Sequence, residues 1–374
     1  MKTVGIICEY NPFHLGHRIQ IQDIRNRLGA DVCIVALMSG SFVERGGPAI
    51  LSKEDRAAIA LSEGVNLVLE LPFPWSMSGA DRFAAGALAI LEGLGGIDYL
   101  AFGSECGEID RLQEIAGVLK SDLFEDKMSV LADEYPELSY ASLREAAYLA
   151  TTGRELPKLP PNDLLGVAYL THIQKIQPLV LKRMPGYSAG GARSAYRCGD
   201  IEQLSESVPA ATAVALEEKD AFSDIAIDRA LLSHLRMASK QQLATFAECS
   251  PELAAELKKA VRTSSTVEEI VKKATSKHYT SSRVRRALWH SYLQTPKAAP
   301  LSIPHFTNLL ATDQPGRSFL RSVAKNDHIA VITRPSNAEV SAEIASEYAL
   351  SSTVDEVYAS LHGQSVIKKP PIIK

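Results

Sequence analysis

Nowhere in this 374-residue chain does an apolar run persist long enough to span a bilayer, which argues against a transmembrane helix. The N-terminal stretch MKTVGIICEYNP is only briefly apolar and lacks the basic flank and cleavage site of a signal peptide, so a cytoplasmic protein without a membrane partner is expected. Cysteine is scarce too. Five residues, at positions 8, 33, 106, 198 and 249, show no CxxC or CxH spacing, and neither a zinc site nor a disulfide framework is indicated. Internal repeats and low-complexity tracts are missing, which excludes repeat architectures. What remains is a composition, 46% hydrophobic and 22% charged, that suits a globular chain long enough for two domains.

The first part alternates strand and helix patterns. TVGIIC reads as a buried strand, GHRIQIQDIRNRLG as an amphipathic helix closed by Gly29, and DVCIVALM as a second strand. SKEDRAAIALSEG starts at a Ser52 cap and ends at Gly64. VNLVLELP, SGADRFAAGALAILEGLG and IDYLAFGSE then continue as strand, helix and strand. The expected fold class is α/β: a parallel sheet with helices on both faces, and ligands gathered at the carboxyl ends of the strands. QPLVLKRMPGYS supplies a fifth strand, and GGARSAYRCGD reads as a loop. From about residue 200 the pattern is mainly helical, with a last α/β-like piece around DHIAVITR. We therefore divide the chain into 1–200 and 201–374.

The first strand runs into NPFHLGH, with His14 and His17 flanking Gly16 at a strand-to-helix junction. Three readings compete. A metal site would need a third protein ligand that no HExxH or similar motif provides, so none is assigned. Two unrelated histidines would leave Pro12, Gly16 and the junction unexplained. The third reading accounts for all of them: a helix N-terminus attracts a nucleotide's phosphates, Gly16 leaves room, and two imidazoles stabilise charge building on the transferring phosphoryl group.

NPFHLGH resembles the HxGH signature of the HIGH nucleotidyltransferase superfamily. Together with MSGSFVERGGPAI, LPFPWS, FGSE, PPNDLLG and HYTSSRVRRAL, in that order, the chain resembles the bacterial tRNA(Met) cytidine acetate ligase family. The resemblance implies a Rossmann-like nucleotidyltransferase domain that makes acetyl-adenylate from acetate and ATP, the latter with Mg2+. It also implies transfer of the acetyl group to N4 of the wobble cytidine of elongator tRNA(Met). The implied catalytic residues are His14 and His17. The implied ATP loop is Ile7, Cys8, Glu9, Tyr10, Asn11, Pro12, Phe13, His14, Leu15, Gly16, His17, Arg18, Ile19 and Gln20, joined by Gly103, Asn162 and Arg183. Asn162 is alternatively the N-cap of the helix DLLGVAYL. Arg45 is a possible anion ligand on the loop Ser39–Gly47, where Glu44 stands in place of the family's more common glutamine. Arg197 is a further phosphate candidate, and Asn308 stands where the family's arginine is expected.

The net charge of −4 hides a local excess, since residues 251–300 carry ten lysines and arginines against four acids. Lys272, Lys273, Lys277, Arg283, Arg285 and Arg286 are taken as tRNA-binding candidates, with Tyr279 and Trp289 either stacking on bases or packing internally. Two other readings are open. A nucleotidyltransferase acting on a small phosphate ester leaves the basic region without a task, and a non-catalytic nucleotide- and RNA-binding protein would release no pyrophosphate.

Overall fold

The computed structural model describes residues 2–135, 138, 140–218, 224–324, 328–334, 340–363 and 370–374. Its first half follows the alternating pattern. Strand β1 (Thr3–Cys8) leads into α1 (Leu15–Leu28), then β2 (Cys33–Ser39), a small hairpin of β3 (Phe42–Val43) and β4 (Gly47–Pro48), and α2 (Lys53–Ser62). Next come β5 (Leu67–Leu71), α3 (Ala80–Leu94), β6 (Tyr99–Ser104), α4 (Ile109–Leu119), α5 (Asp122–Glu134), α6 (Tyr140–Thr152), α7 (Pro161–His172) and β7 (Gln177–Lys182). A helical stretch follows: α8 (Ala189–Cys198), α9 (Ile201–Ser207), α10 (Ala210–Glu217), α11 (Asp224–Met237), α12 (Lys240–Leu243), α13 (Pro251–Val261), α14 (Val267–Ala274) and α15 (Ser281–Tyr292). The chain then returns to the sheet through β8 (Phe306–Thr312), α16 (Gln314–Val323), β9 (Ala330–Ile332), α17 (Ala345–Leu361) and β10 (Ile372–Ile373).

Among the described residues the sheet runs β10-β8-β5-β2-β1-β6-β7, with β9 alongside β8. All its pairings are parallel except β5 with β8. The strand order reverses at β1, which pairs with β2 from Thr3↔Cys33 to Cys8↔Met38 and with β6 at Val4↔Tyr99 and Gly5↔Leu100. Such a reversal opens a crevice beyond the carboxyl ends of the two central strands. Every residue of β2 is buried, as expected for a strand covered on both faces. Successive side chains serve opposite cores. Cys33, Val35 and Leu37 pack with α3, α4 and α7, whereas Ile34, Ala36 and Met38 pack with α1 and α2. A third core unites α11, α13, α14 and α15 with Phe42, Phe73 and Tyr358. No helix of the described residues is long and apolar enough to cross a membrane.

One segment departs from its sequence reading, and two others take on structural tasks that their sequence does not show. GGARSAYRCGD is helical, not a loop. The Ser188 side chain accepts from Gly191 N (3.0 Å), the two glycines fall in the first turn, and Gly199 closes α8 in the left-handed conformation. LPFPWS fills the interior: Trp75 is buried, and its indole N–H donates to the Ser302 carbonyl (2.8 Å). Asn308 is buried within β8, where its amide donates to Glu70 Oε2 (2.8 Å). That carboxylate also receives Lys53 Nζ (2.9 Å), and Lys53 reaches Asp355 as well, so an internal ion cluster joins α2, β5, β8 and α17.

Candidate active site

The carboxyl ends of β1, β6 and β7 open into a cavity of about 810 Å³, also bordered by the starts of α1 and α7, by α8 and by the β3–β4 hairpin. Chain direction changes sharply where β1 gives way to α1. Tyr10 adopts a left-handed backbone (φ 47°), uncommon for a bulky residue and sustained here by tight packing. Its ring lies 4.7 Å from Phe13 and 4.8 Å from His17, measured between centroids. His14 is the N-cap of α1, with an extended backbone. Its N–H donates to His17 Nδ1 (3.2 Å), and the two imidazoles stack with centroids 3.7 Å apart and planes inclined by 24°. Because His17 Nδ1 accepts, the hydrogen bond assigns its ring proton to Nε2. His14 Nδ1 is buried and has no partner among the described residues.

Gly16 has a second task besides leaving room. A Cβ at that position would stand 2.9 Å from His14 Cε1 and 3.2 Å from Tyr187 Cβ, so any larger residue would dislodge the imidazole stack. Electrostatics keep both rings neutral. Burial, then the charges of Arg183 and Arg193, push His14 down to about 4; burial, His14 and Arg183 push His17 well below the ordinary histidine range. Neutral imidazoles beside cationic guanidiniums form a donor-rich cradle for an anion at a helix N-terminus.

Of the loop residues 7–20, Ile7, Cys8, Glu9, Tyr10, Asn11, His14, Gly16, His17, Ile19 and Gln20 line the cavity. Pro12 and Phe13 are buried behind it. Leu15 does not line it, and Arg18 is bound to Glu63 (2.5 Å). Gly103, Asn162 and Arg183 all lie in the wall. A side chain at Gly103 would meet nothing within 4 Å, so this glycine is not required by packing; it keeps the cavity floor clear. Asn162 is not an N-cap: Pro160 is the cap residue, Pro161 opens α7, and Asn162 follows it.

The carboxylates that organise this wall are not evident from the sequence. Glu105 accepts from Asn162 Nδ2 (2.5 Å) and from the backbone N–H of Asp163 (3.1 Å), and Arg183 lies 3.5 Å away. Asp163 is buried and reciprocates, accepting from Ser104 Oγ (2.5 Å) and from the backbone N–H groups of Glu105 (2.9 Å) and Cys106 (3.2 Å). A second unforeseen residue is Arg193. On α8, it enters the cavity wall and donates to the Asn11 carbonyl (2.5 Å), whereas Arg197 of the same helix lies outside the lining. The signals were present in FGSE, PPND and GGARSAYR, but each needs its distant partner to be read.

Glu44 and Arg45 bring the hairpin into the same wall. The backbone N–H of Glu44 donates to Glu9 Oε1 (2.8 Å). Burial and the Glu9 charge push the Glu44 carboxyl up to about 7, against the pull of Arg286.

A sequence profile described as HIGH Nucleotidyl Transferase matches residues 1–369. A tRNA(Met) cytidine acetate ligase from Acetivibrio thermocellus is 31% identical over 371 residues, spanning 90% of this chain and 89% of the relative. One from Caldanaerobacter subterraneus subsp. tengcongensis is 30% identical over the full length of both chains. The chain belongs to the tRNA(Met) cytidine acetate ligase family. Membership makes it an ATP-dependent ligase within the HIGH nucleotidyltransferases. The crystal structure of Thermotoga maritima TmcAL bound with alpha-thio ATP superposes with a TM-score of 0.89 at 25% identity, covering 100% of this chain and 99% of that one.

In this ligase the basic candidates occupy α14, α15 and the turn between them, and they differ sharply in availability. Lys272 and Lys277 are exposed. Lys273 donates to the Thr263 carbonyl (2.6 Å), and Arg285 forms a bidentate pair with Glu268 (2.7 and 2.6 Å). Arg283 lies over the Tyr279 ring (5.3 Å). Arg286 is not a surface cation: its side chain is 8% exposed and is held by Glu44 and Glu248, each at 3.3 Å. Trp289 packs internally against Phe42 (5.1 Å).

Proposed function

We propose that this chain condenses acetate with ATP to acetyl-adenylate and transfers the acetyl group to N4 of the wobble cytidine of elongator tRNA(Met). The observation that carries this reading is the stacked His14–His17 pair at the N-terminus of α1, facing a cavity into which Arg183 and Arg193 also bring positive charge. An acetate oxygen attacks the α-phosphorus of ATP, and the bond to the β-phosphate oxygen breaks with release of pyrophosphate. His14 and His17 donate hydrogen bonds to phosphate oxygens as charge builds there. The cytidine amine then attacks the carbonyl carbon of the mixed anhydride. AMP leaves, and the amine proton passes to its phosphate or to water. No covalent enzyme intermediate is required, so alignment of amine and anhydride supplies much of the second step's acceleration.

Residues 1–200 perform the activation in this reading, and the mainly helical region from 201 holds the tRNA of a cytoplasmic substrate pool. Mg2+ would accompany ATP as a phosphate counterion. The test is to incubate the protein with ATP, radiolabelled acetate and total bacterial tRNA, then to identify the labelled nucleoside. Label in N4-acetylcytidine is the expected result. Unlabelled tRNA, or activity with other acids but not acetate, overturns the reading.

A further inference from the structure

The β3–β4 hairpin is a junction. On one side, Glu44 N–H donates to Glu9 Oε1 (2.8 Å), which ties the hairpin to the end of β1. On the other, Arg286 Nη1 donates to the Glu44 carbonyl (3.1 Å), while Gly46 lies so close to α15 that a Cβ there would stand 2.6 Å from the backbone N of Arg286. Phe42 anchors the base of the hairpin between Phe73, Trp289 and Tyr358. The segment between Glu44 and Gly46 is therefore fixed at the seam between the ATP cavity and the helix that carries Arg283 and Arg285. That segment is Arg45.

Arg45 is exposed and lines the cavity, yet among the described residues its guanidinium makes no hydrogen bond or ion pair. The other arginines of the cavity wall are engaged, Arg183 by Glu105 and the Tyr187 carbonyl and Arg193 by the Asn11 carbonyl. Their placement differs as well. Arg183 and Arg193 act on His14, whereas Arg45 acts on Glu9, Glu44 and Arg193. Arg45 sits between Glu44, tied to Glu9, and Gly46, packed on α15, and so at the edge of the cavity that faces this helix. Arg193 in turn feels the like charges of Arg197, Arg45 and Arg285, so the cations of α8, the hairpin and α15 are close enough to repel one another.

We propose that Arg45 grips a backbone phosphate of the acceptor RNA next to the target cytidine, positioning the amine at the mouth of the ATP cavity. The proposal rests on the acetyl-transfer reading above. A rigid perch and an uncommitted guanidinium suit bidentate phosphate recognition, and the site is where RNA must meet an anhydride formed at the histidines.

The test compares the wild type with Arg45→Ala and Arg45→Lys by three measurements: filter binding of elongator tRNA(Met), acetate-dependent ATP–pyrophosphate exchange without RNA, and acetyl transfer. In Arg45→Ala, the Kd for tRNA is expected to rise about tenfold, the slope of log Kd against log salt to fall by about one, and acetyl transfer to fall about tenfold more than exchange does. Arg45→Lys should regain most of the affinity. Pyrophosphate exchange lost in parallel with transfer would assign Arg45 to the triphosphate and overturn the proposal, as would unaltered tRNA affinity. A wild type without acetate-dependent exchange would sink the activity reading, whereas tRNA loosened only in Arg45→Ala would still uphold the phosphate contact. A melting temperature within a few degrees of the wild type is expected for Arg45→Ala, because no hydrogen bond or ion pair among the described residues is removed.

Discussion

His14 and His17 share one hydrogen bond and one stack: the N–H of the first donates to Nδ1 of the second at 3.2 Å, and their rings lie 3.7 Å apart. The bond uses the acceptor nitrogen of His17, leaving Nε2–H as its available donor. The bond comes from the backbone N–H of His14, so it is the stack that couples the two rings. His14→Ala and His17→Ala are expected to lower acetate-dependent pyrophosphate exchange by about 10²–10³-fold, the usual cost of losing a transition-state hydrogen-bond donor. Because the rings act as one unit, the double variant should lose far less than the product of the two single losses. Unchanged tRNA binding would show that the fold survives, and strictly multiplicative losses would contradict the coupling.

The same burial gives the apo protein an acid-sensitive window. His14 accepts a proton only near pH 4 when folded, because burial and then Arg183 and Arg193 oppose its charge, whereas the unfolded chain protonates it near the ordinary 6.5. Between those values the unfolded state binds more protons, so stability falls as pH is lowered through 6.5 and levels off near 4. The full effect for this buried residue is roughly 3 kcal/mol. Urea unfolding from pH 7.5 down to 4.5 should show the loss, and His14→Asn, which carries no titrating ring, should show a shallower one. Parallel pH curves for the two proteins would refute the assignment.

Much of the architecture was legible because burial leaves a periodic trace. The buried run CIVALMS and the Ser52 and Gly29 boundaries each carry their signal within a few residues. Partnerships between distant residues carry none. Asn162 looks like a cap in sequence, but the carboxylate at the start of α7 comes from Glu105, 57 residues earlier. Strand β8 leaves no such trace, because Thr307 and Asn308 look polar. They are buried by bonding to the Glu70 carbonyl (2.7 Å) and carboxylate (2.8 Å). The charge run containing Arg286 reads as a solvated face for the same reason, since its buried partners Glu44 and Glu248 lie on other elements. Local pattern thus marks the candidate site, while the contacts that support it emerge only from the fold.

Asp163 is the clearest of these supports. It receives the Ser104 hydroxyl and the N–H groups of Glu105 and Cys106, and so holds the end of β6 against α7. Asp163→Ala would leave several buried donors without an acceptor, at a cost of roughly 2–5 kcal/mol. Gly103, Glu105 and Asn162 would shift together. Chemical denaturation should register the lost stability, and KM for ATP should rise more than KM for tRNA. Equal ATP affinity in a folded Asp163→Ala protein would show that the β6–α7 lock does not shape the nucleotide wall.

Two adjacent glycines separate packing from function at the hairpin. Gly46 has φ +85°, and an added Cβ would meet Arg286 N at 2.6 Å and Arg285 Cβ at 2.7 Å, both on a helix whose backbone cannot yield cheaply. Gly47 has no such conflict: its nearest neighbour would be Trp289 Nε1 at 3.6 Å, an ordinary contact. Gly46→Ala is therefore expected to lose roughly 1–3 kcal/mol of stability and to lift the hairpin from α15, whereas Gly47→Ala should stay within about 0.5 kcal/mol of the wild type. If Arg45 works from a fixed perch, Gly46→Ala should also weaken tRNA binding and acetyl transfer while sparing pyrophosphate exchange, although it removes no charge. Weakened exchange with intact tRNA binding would mean that the hairpin shapes the ATP cavity instead, because the Glu44–Glu9 bond would then be the contact that matters.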